Sequence, residues 1–370
     1  MTAPMQTIAE QRLRQIEQAR HAVMVEGRSG MGALSTPWSE GGWIERSWRR
    51  CLASGQRPDQ RLGFDMIPAQ ARQRVTEASR PLVLAARPVL DRLSRALAST
   101  RYFAILTNDH GVVIDAHGPI DRRDRRADLI TRVGVDLSER NVGTTAIGAA
   151  LAELEPVWLH RGEHFFADTS VYSCAGAPLF GPDGRCVGML DLTGIDAAER
   201  PELKHLVAQS ARSIENALAL SMPYKLLLRL NWPGRSLGSD DDGLVCLDAD
   251  GCVVGSNHPA RHMVPQLAHA GGLVHCSELF AQPWEQLFDL ARHGAHPAPV
   301  EVPLWSGLRL SALAQLPGRP AETVAPRVPL RDLEISLIRK AVAEAGGNVV
   351  QAAQALGISR ATIYRKIGRK

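Results

Sequence analysis

Lysine is nearly missing from this 370-residue chain: Lys204, Lys225, Lys340, Lys366 and Lys370 are all there are, and none follows a glycine. A Gly-Lys-Ser/Thr phosphate loop is therefore excluded, and with it the P-loop route to nucleotide hydrolysis. No run approaches the roughly 18 apolar residues of a membrane-spanning helix, and the first thirty residues lack the apolar core of a signal peptide. A cytoplasmic location and no membrane partner are expected. Six scattered cysteines, Cys51, Cys174, Cys186, Cys246, Cys252 and Cys276, suit small buried hydrophobes in a reducing compartment better than a disulfide framework. Catalytic signatures are missing too, with no Gly-x-Ser-x-Gly elbow, no His-Glu-x-x-His and no Gly-x-Gly-x-x-Gly. No cofactor is expected.

What the chain does have is concentrated at its end. Gly357–Lys370 holds five basic residues and no acid, although the whole chain carries only +4. Such a local concentration of positive charge calls for a polyanion, and double-stranded DNA is the natural one. Three short helices are predicted there. Leu333, Leu337, Ile338, Ala341, Val342 and Ala345 recur at helical spacing before Gly346-Gly347 ends the first. Asn348 caps a second helix through Val349, Ala352, Ala353 and Leu356, and Ser359 caps a third in which Ile363 and Ile367 face inward. The third helix then presents Arg360, Ala361 and Thr362 to base edges, while Tyr364, Arg365, Lys366 and Arg369 grip the backbone. One short recognition helix covers too few base pairs for specificity. A homodimer with recognition helices about 34 Å apart, reading a palindromic operator, is expected.

Upstream, the pattern is of mixed class. Residues 1–100 read as a helical region, with an apolar stripe Trp43, Ile44, Trp48 and Leu52 and a long helix through Val75–Ala98. From about residue 102, apolar runs broken by turn residues predict hairpins at 102–114, 177–192 and 244–254. Helical residues near Asn141–Leu151 and a helix through Pro201–Leu220 surround the second. A helical stretch Trp284–Ala291 and an alternating run from Val302 to Leu310 follow. The proline-rich segment 317–329 reads as a semi-rigid linker.

Two resemblances sharpen this. Gly346-Gly347-Asn348, Ala352-Ala353, Leu356-Gly357-Ile358-Ser359-Arg360 and Ile363-Tyr364-Arg365-Lys366 resemble the Fis-type helix-turn-helix that ends many sigma-54-dependent activators. Ser47-Trp48-Arg49-Arg50-Cys51, Asn141-Val142-Gly143-Thr144-Thr145-Ala146-Ile147-Gly148 and Cys174 to Gly188 resemble the sensor of the acetoin-catabolism-regulator family, which contains a GAF domain. Those activators carry an ATPase domain between sensor and DNA-binding end, and there is no room for one here. The resemblance implies an α+β multidomain regulator acting without ATP hydrolysis, with a small-molecule effector, and RNA polymerase as a further candidate partner. The expected order is a helical region 1–100, a GAF domain 101–222, a PAS-like domain 237–316, the linker 317–329 and the helix-turn-helix 330–370.

His164, Phe166, Tyr172, Cys174 and Asp191 flank the central strands and are the candidate effector ligands; the alternative is that they merely fill a core. Two other chemistries stay open. Cys246, Cys252, His258 and His262 have the residue types of a zinc site without the usual finger spacing. Cys174 and Cys186, on facing strands of one hairpin, would be within reach of each other in a free methionine sulfoxide reductase, the enzyme reading of a GAF domain. An architectural, Fis-like DNA binder is a third reading, against which the long sensor-like sequence argues.

Overall fold

The computed structural model describes residues 8–28, 42–268, 274–293, 298–317, 342, 348–355 and 358–367. The described residues form an α+β structure with two five-stranded antiparallel sheets. The first sheet is built from β1 (Tyr102–Asn108), β2 (Val113–His117), β3 (Val157–His160), β4 (Tyr172–Phe180) and β5 (Cys186–Ile195), in the order β2-β1-β5-β4-β3. Its strands alternate strictly. Phe103 and Ile105 of β1 enter one core, and Tyr102, Ala104 and Leu106 enter another, as the two-residue period of a strand buried on both faces requires.

Helices cover both faces. On one lie α1 (Ile8–Arg20), which continues into a π-helical turn His21–Val25, then α2 (Trp43–Ala53) and, from the sheet's own insertion, α5 (Arg125–Ile130), α6 (Glu139–Val142) and α7 (Ala146–Glu153). On the other lie α4 (Arg80–Leu97) and α8 (Leu203–Leu220), reached through α3 (Ala69–Ala78). The described helices ahead of residue 98 are thus no separate layer. Ile16, Trp48 and Leu90 are fully buried against the sheet, so the expected boundary at residue 100 divides what packs as one body.

The single helix expected through Val75–Ala98 is two. Pro81, the second residue of α4, has no N–H to offer the carbonyl four residues back and its ring would strike that turn. The chain breaks at Ser79, whose amide closes α3 on the Val75 carbonyl at 2.9 Å and whose carbonyl starts α4 by accepting from Val83 at 3.0 Å.

The second sheet comprises β6 (Leu226–Asn231), β7 (Gly243–Leu247), β8 (Val253–Ser256), β9 (Val300–Pro303) and β10 (Arg309–Gln315), in the order β8-β7-β6-β10-β9. It starts at Leu226, ahead of the expected 237, and its first strand is its middle one. Leu226-Leu-Leu-Arg-Leu230 is apolar on both faces because both are covered, so it lacks the alternation that marks a half-exposed strand. Helices α9 (His258–Met263) and α10 (Glu285–His293) pack on one face. On the other, the Cys246 thiol donates to the Ala219 carbonyl at the end of α8, and Asn257 donates its side-chain amide to Asn216 of α8 at 2.7 Å. Among the described residues, no helix is long and apolar enough to cross a membrane.

Leu228 is fully buried in the central strand. Leu228→Ala is expected to cost about 2–5 kcal/mol by the transfer and cavity cost of a core leucine, seen as a lowered urea midpoint; an unchanged midpoint would place this strand outside a cooperative core.

Candidate functional sites

The first site is a cavity roofed by one short loop. Residues 161–165 leave β3 through a tight turn, with Arg161 at φ 48°, and everything around them holds the turn in place. Arg20 of α1 donates to the carbonyls of Gly162, His164 and Phe165 at 2.5–2.9 Å and sits over the Trp48 ring at 5.7 Å. Trp48 donates its indole N–H to the Glu163 carbonyl at 2.8 Å. The Glu163 carboxylate is buried, pairs with Arg12 and accepts the His160 amide at 2.6 Å. Burial raises the Glu163 pKa against the pull of Arg12.

The two sensor motifs meet beside this loop. Ser47 donates to Glu139 at 2.6 Å and shares a hydrogen bond with Thr144 at 2.7 Å. Arg50 forks onto the Glu139 carboxylate at 2.7 and 2.9 Å. Gly143 takes φ 66° and ψ −156°, a region that is essentially glycine's alone, and a Cβ there would lie 2.8 Å from the Phe166 ring.

Beneath the loop the cavity measures about 30 Å³, room for one or two waters by the usual measure of internal voids. Aliphatic groups of Ile105, Ile130 and Ile147 line much of it, and His164, Tyr172, Cys174, Asp191 and Thr193 bring the polar atoms. Four of the five candidate ligands from the sequence therefore share one wall. Phe166 does not: its ring turns from the cavity to pack edge-on against Phe165, centroids 5.0 Å apart, and to cover Gly143. Thr193 was missed, although it stands two residues beyond Asp191 on β5 and so on the same face.

The polar wall is a connected chain. His164 is hydrogen-bonded from Nδ1 to the Arg161 carbonyl at 2.9 Å, which fixes the proton on Nδ1 and leaves the Nε2 lone pair facing the Cys174 sulfur at 3.5 Å. Cys174 also contacts the Thr193 hydroxyl at 3.5 Å, and that hydroxyl donates to Asp191 Oδ2. Asp191 Oδ1 is buried without a partner. Burial brings the His164 pKa down to about 4, raises Asp191 to about 7 and pushes the Cys174 thiol well above its ordinary value. A neutral imidazole, a neutral thiol and a half-protonated carboxyl, with no lysine or arginine in the described wall, offer hydrogen bonds to an uncharged molecule and no thiolate nucleophile.

Cys174 and Cys186 do not face each other. Cys174 pairs across the hairpin with Thr193 and Cys186 with Phe180, so the two are six strand positions apart, roughly 20 Å at about 3.3 Å per residue. A disulfide needs Cα atoms within about 7 Å, and the paired-thiol chemistry of a sulfoxide reductase is overturned by that register. The other candidate cluster separates as well. Cys246 is tied to Ala219 and Cys252 bridges to His275, while His258 stacks on Phe180, centroids 5.0 Å apart, and burial lowers its pKa to about 4.

The second site is the basic end. Asn348 accepts the amides of Val350 and Gln351 at 3.1 and 3.3 Å, capping α11 (Val349–Ala355). Ser359 accepts the Thr362 amide at 3.2 Å, capping α12 (Arg360–Ile367). Ala353 and Ile363 are buried, and Arg360 and Tyr364 are exposed. The Thr362 hydroxyl bonds the cap at 2.9 Å, so it begins half-engaged in its own helix. Ala361, Arg365 and Lys366 lie on α12. Arg369, most of the first expected helix and the linker beyond residue 317 lie outside the described residues.

Two outcomes follow from the cavity. An Asp held at about 7 when folded and near 3.9 unfolded binds its proton more tightly in the fold, so its contribution is intact below about pH 4 and is lost as pH rises to about 7. Asp191→Asn should flatten that decline by about 2–3 kcal/mol between pH 5 and pH 7.5, read from denaturant titrations at the two pH values; equal declines in both proteins would refute the assignment. Gly143→Ala should cost about 1–3 kcal/mol from backbone strain alone, with a matching fall in Tm.

The family described as "MimR, N-terminal domain" matches residues 32–216, and "Bacterial regulatory protein, Fis family" matches residues 329–369. The acetoin catabolism regulatory protein of Cupriavidus necator is 31% identical over 66% of this chain and 37% of its own length. The propane 2-monooxygenase operon transcriptional activator MimR of Mycolicibacterium smegmatis is 30% identical over 47% of this chain and 29% of its own. The chain spans little more than a third of the length of such curated relatives. Among solved structures, the E. coli DhaR(N)-DhaL complex aligns over 74% of this chain and 99% of the matched chain, at 15% identity and a TM-score of 0.44. Half of the chain is matched by the one family and its end by the other, and the chain belongs to the acetoin-regulator-like, MimR-type family that ends in a Fis-type helix-turn-helix.

Proposed function

We propose that the protein is an effector-responsive transcriptional regulator, in which the first sheet is a GAF-type sensor, the second a PAS-like module and the terminal helices the DNA-binding end. One observation carries the reading: a small, largely aliphatic cavity bordered by His164, Tyr172, Cys174 and Asp191 and a separately capped basic helix occur in the same chain. The cavity favours a small neutral molecule, held by His164, Tyr172, Cys174 and Asp191, since an anion would find no lysine or arginine in the described wall and would pay its full desolvation.

At the other end, Arg360 leads α12 with Ala361 and Thr362 toward base edges, and Asn348, Ser359, Tyr364, Arg365, Lys366 and Arg369 serve the phosphates. Two copies are needed for a palindromic operator. Without a phosphate-binding loop in the chain, the regulator acts by occupying DNA or recruiting RNA polymerase directly, not by ATP-driven remodelling. Effector binding shifts the spacing of the recognition helices by favouring one arrangement of the sensor.

Fluorescence anisotropy on an operator found by genome-wide footprinting tests this. Arg360→Ala should weaken operator binding by about 1–3 kcal/mol and relax base preference at one position, while Lys366→Ala should weaken all sequences alike and lower the salt slope by about one. Full operator affinity in Arg360→Ala, or affinity indifferent to every small neutral compound tested, would overturn the reading.

A further inference from the structure

Outside both sites, the junction of the two sheets carries a pair of side chains that the regulatory reading leaves unused. His258 and His262 stand one turn apart on α9, on the same face as i and i+4 positions must, and their Nε2 atoms are 2.9 Å apart. Their rings meet at 73° with centroids 4.5 Å apart. A single hydrogen bond accounts for that approach only if one ring gives its Nε2 proton to the other. The alternative occupant of two converging lone pairs is a cation.

The bite fits one. Two imidazole nitrogens bound at about 2.0–2.1 Å and at right angles about a metal lie roughly 3 Å apart. The pair is already ordered: His258 lies parallel to the Phe180 ring at the end of β4, interplanar angle 12°. His262 is exposed, so water can fill the remaining positions. We propose that His258 and His262 chelate a borderline divalent transition-metal ion, of the zinc, nickel or copper class that imidazole favours, at the junction between the two sheets.

Burial, then Arg261 and Arg212, disfavour positive charge at His258, but each arginine is engaged elsewhere. Arg261 between the two histidines is turned away, its Nη1 on the Ser256 carbonyl at 2.6 Å, and Arg212 pairs with Asp241 at 3.3 Å. The buried Glu215 carboxyl lies within electrostatic reach of both arginines. Among the described residues no group of three potential ligands forms, so the site is a two-point one. Because His258 is stacked against the first sheet while α9 belongs to the second, occupancy would tie the two together.

The test is titration of Co²⁺ and Ni²⁺ into the full chain in a non-chelating buffer. The expected result is one equivalent bound with weak d–d bands, no thiolate charge-transfer absorption and a rise in Tm. His262→Gln, an exposed change that leaves the fold intact by circular dichroism, should weaken binding by at least about tenfold and abolish the rise, and His258→Gln should do the same. Cys252→Ser should bind as the parent does. No uptake, a thiolate band, or less than a tenfold loss in His262→Gln would overturn the proposal.

Discussion

The interaction on which the sensor half depends is the burial of one carboxylate. Glu163 sits inside the protein with Arg12 against one oxygen and the His160 amide on the other, and removing either partner of a buried pair leaves a charge that costs about 3–5 kcal/mol. That contact joins α1 to the loop over the cavity. Around it Arg20 takes three carbonyls of the same loop and Trp48 a fourth, satisfying backbone groups that a buried turn would otherwise orphan. His164 owes its place on the cavity wall, and the tautomer that leaves Nε2 open, to a loop with a single 3-10 turn, Arg161–Glu163, that is fixed from outside. The N-terminal helices are therefore part of the site. They hold its roof.

The same physics explains which parts of the sequence could be read. Ser47-Trp-Arg-Arg-Cys51 and the run from Asn141 to Gly148 stood out as motifs, and in the fold they are one contact, with Ser47 and Arg50 meeting Glu139 and Thr144. Hairpins announced by Asp-Gly or Asp-His-Gly turns lie where alternation and turn chemistry put them. Asn348 and Ser359 cap the helices they were expected to cap. In all these, the residue type is demanded by a local backbone requirement, which is why it shows without a structure.

What stayed hidden is what tertiary packing decides. β6 is covered on both faces and reads as a featureless leucine run. β3, four residues long, is too short to show a period. Phe166 has the chemistry of a cavity residue, but the side to which its ring turns is set by the missing side chain of Gly143, over which it closes. Thr193 was recoverable from its two-residue offset to Asp191, whereas nothing local tells that Cys174 and Cys186 are at opposite ends of their hairpin. Register across β4 and β5 decides that.

Helix α8 then matters more than its sequence suggests, because it touches both sheets. Its Glu215 accepts the Phe180 amide at 2.9 Å, at the end of the strand that carries Cys174. One residue on, Asn216 accepts from Asn257, whose own side chain fixes the start of β7 by accepting the Leu244 amide at 2.7 Å. A displacement of β4 at the cavity is thus passed to a helix that the second sheet is bonded to, through neighbouring residues on one turn. The contacts are buried and directional, and hydrogen bonds of that kind resist sliding more than apolar packing does. The helix and the strand must move together or the Glu215 carboxyl, already lacking a partner for its second oxygen, loses the first. This couples the two sheets through one helix.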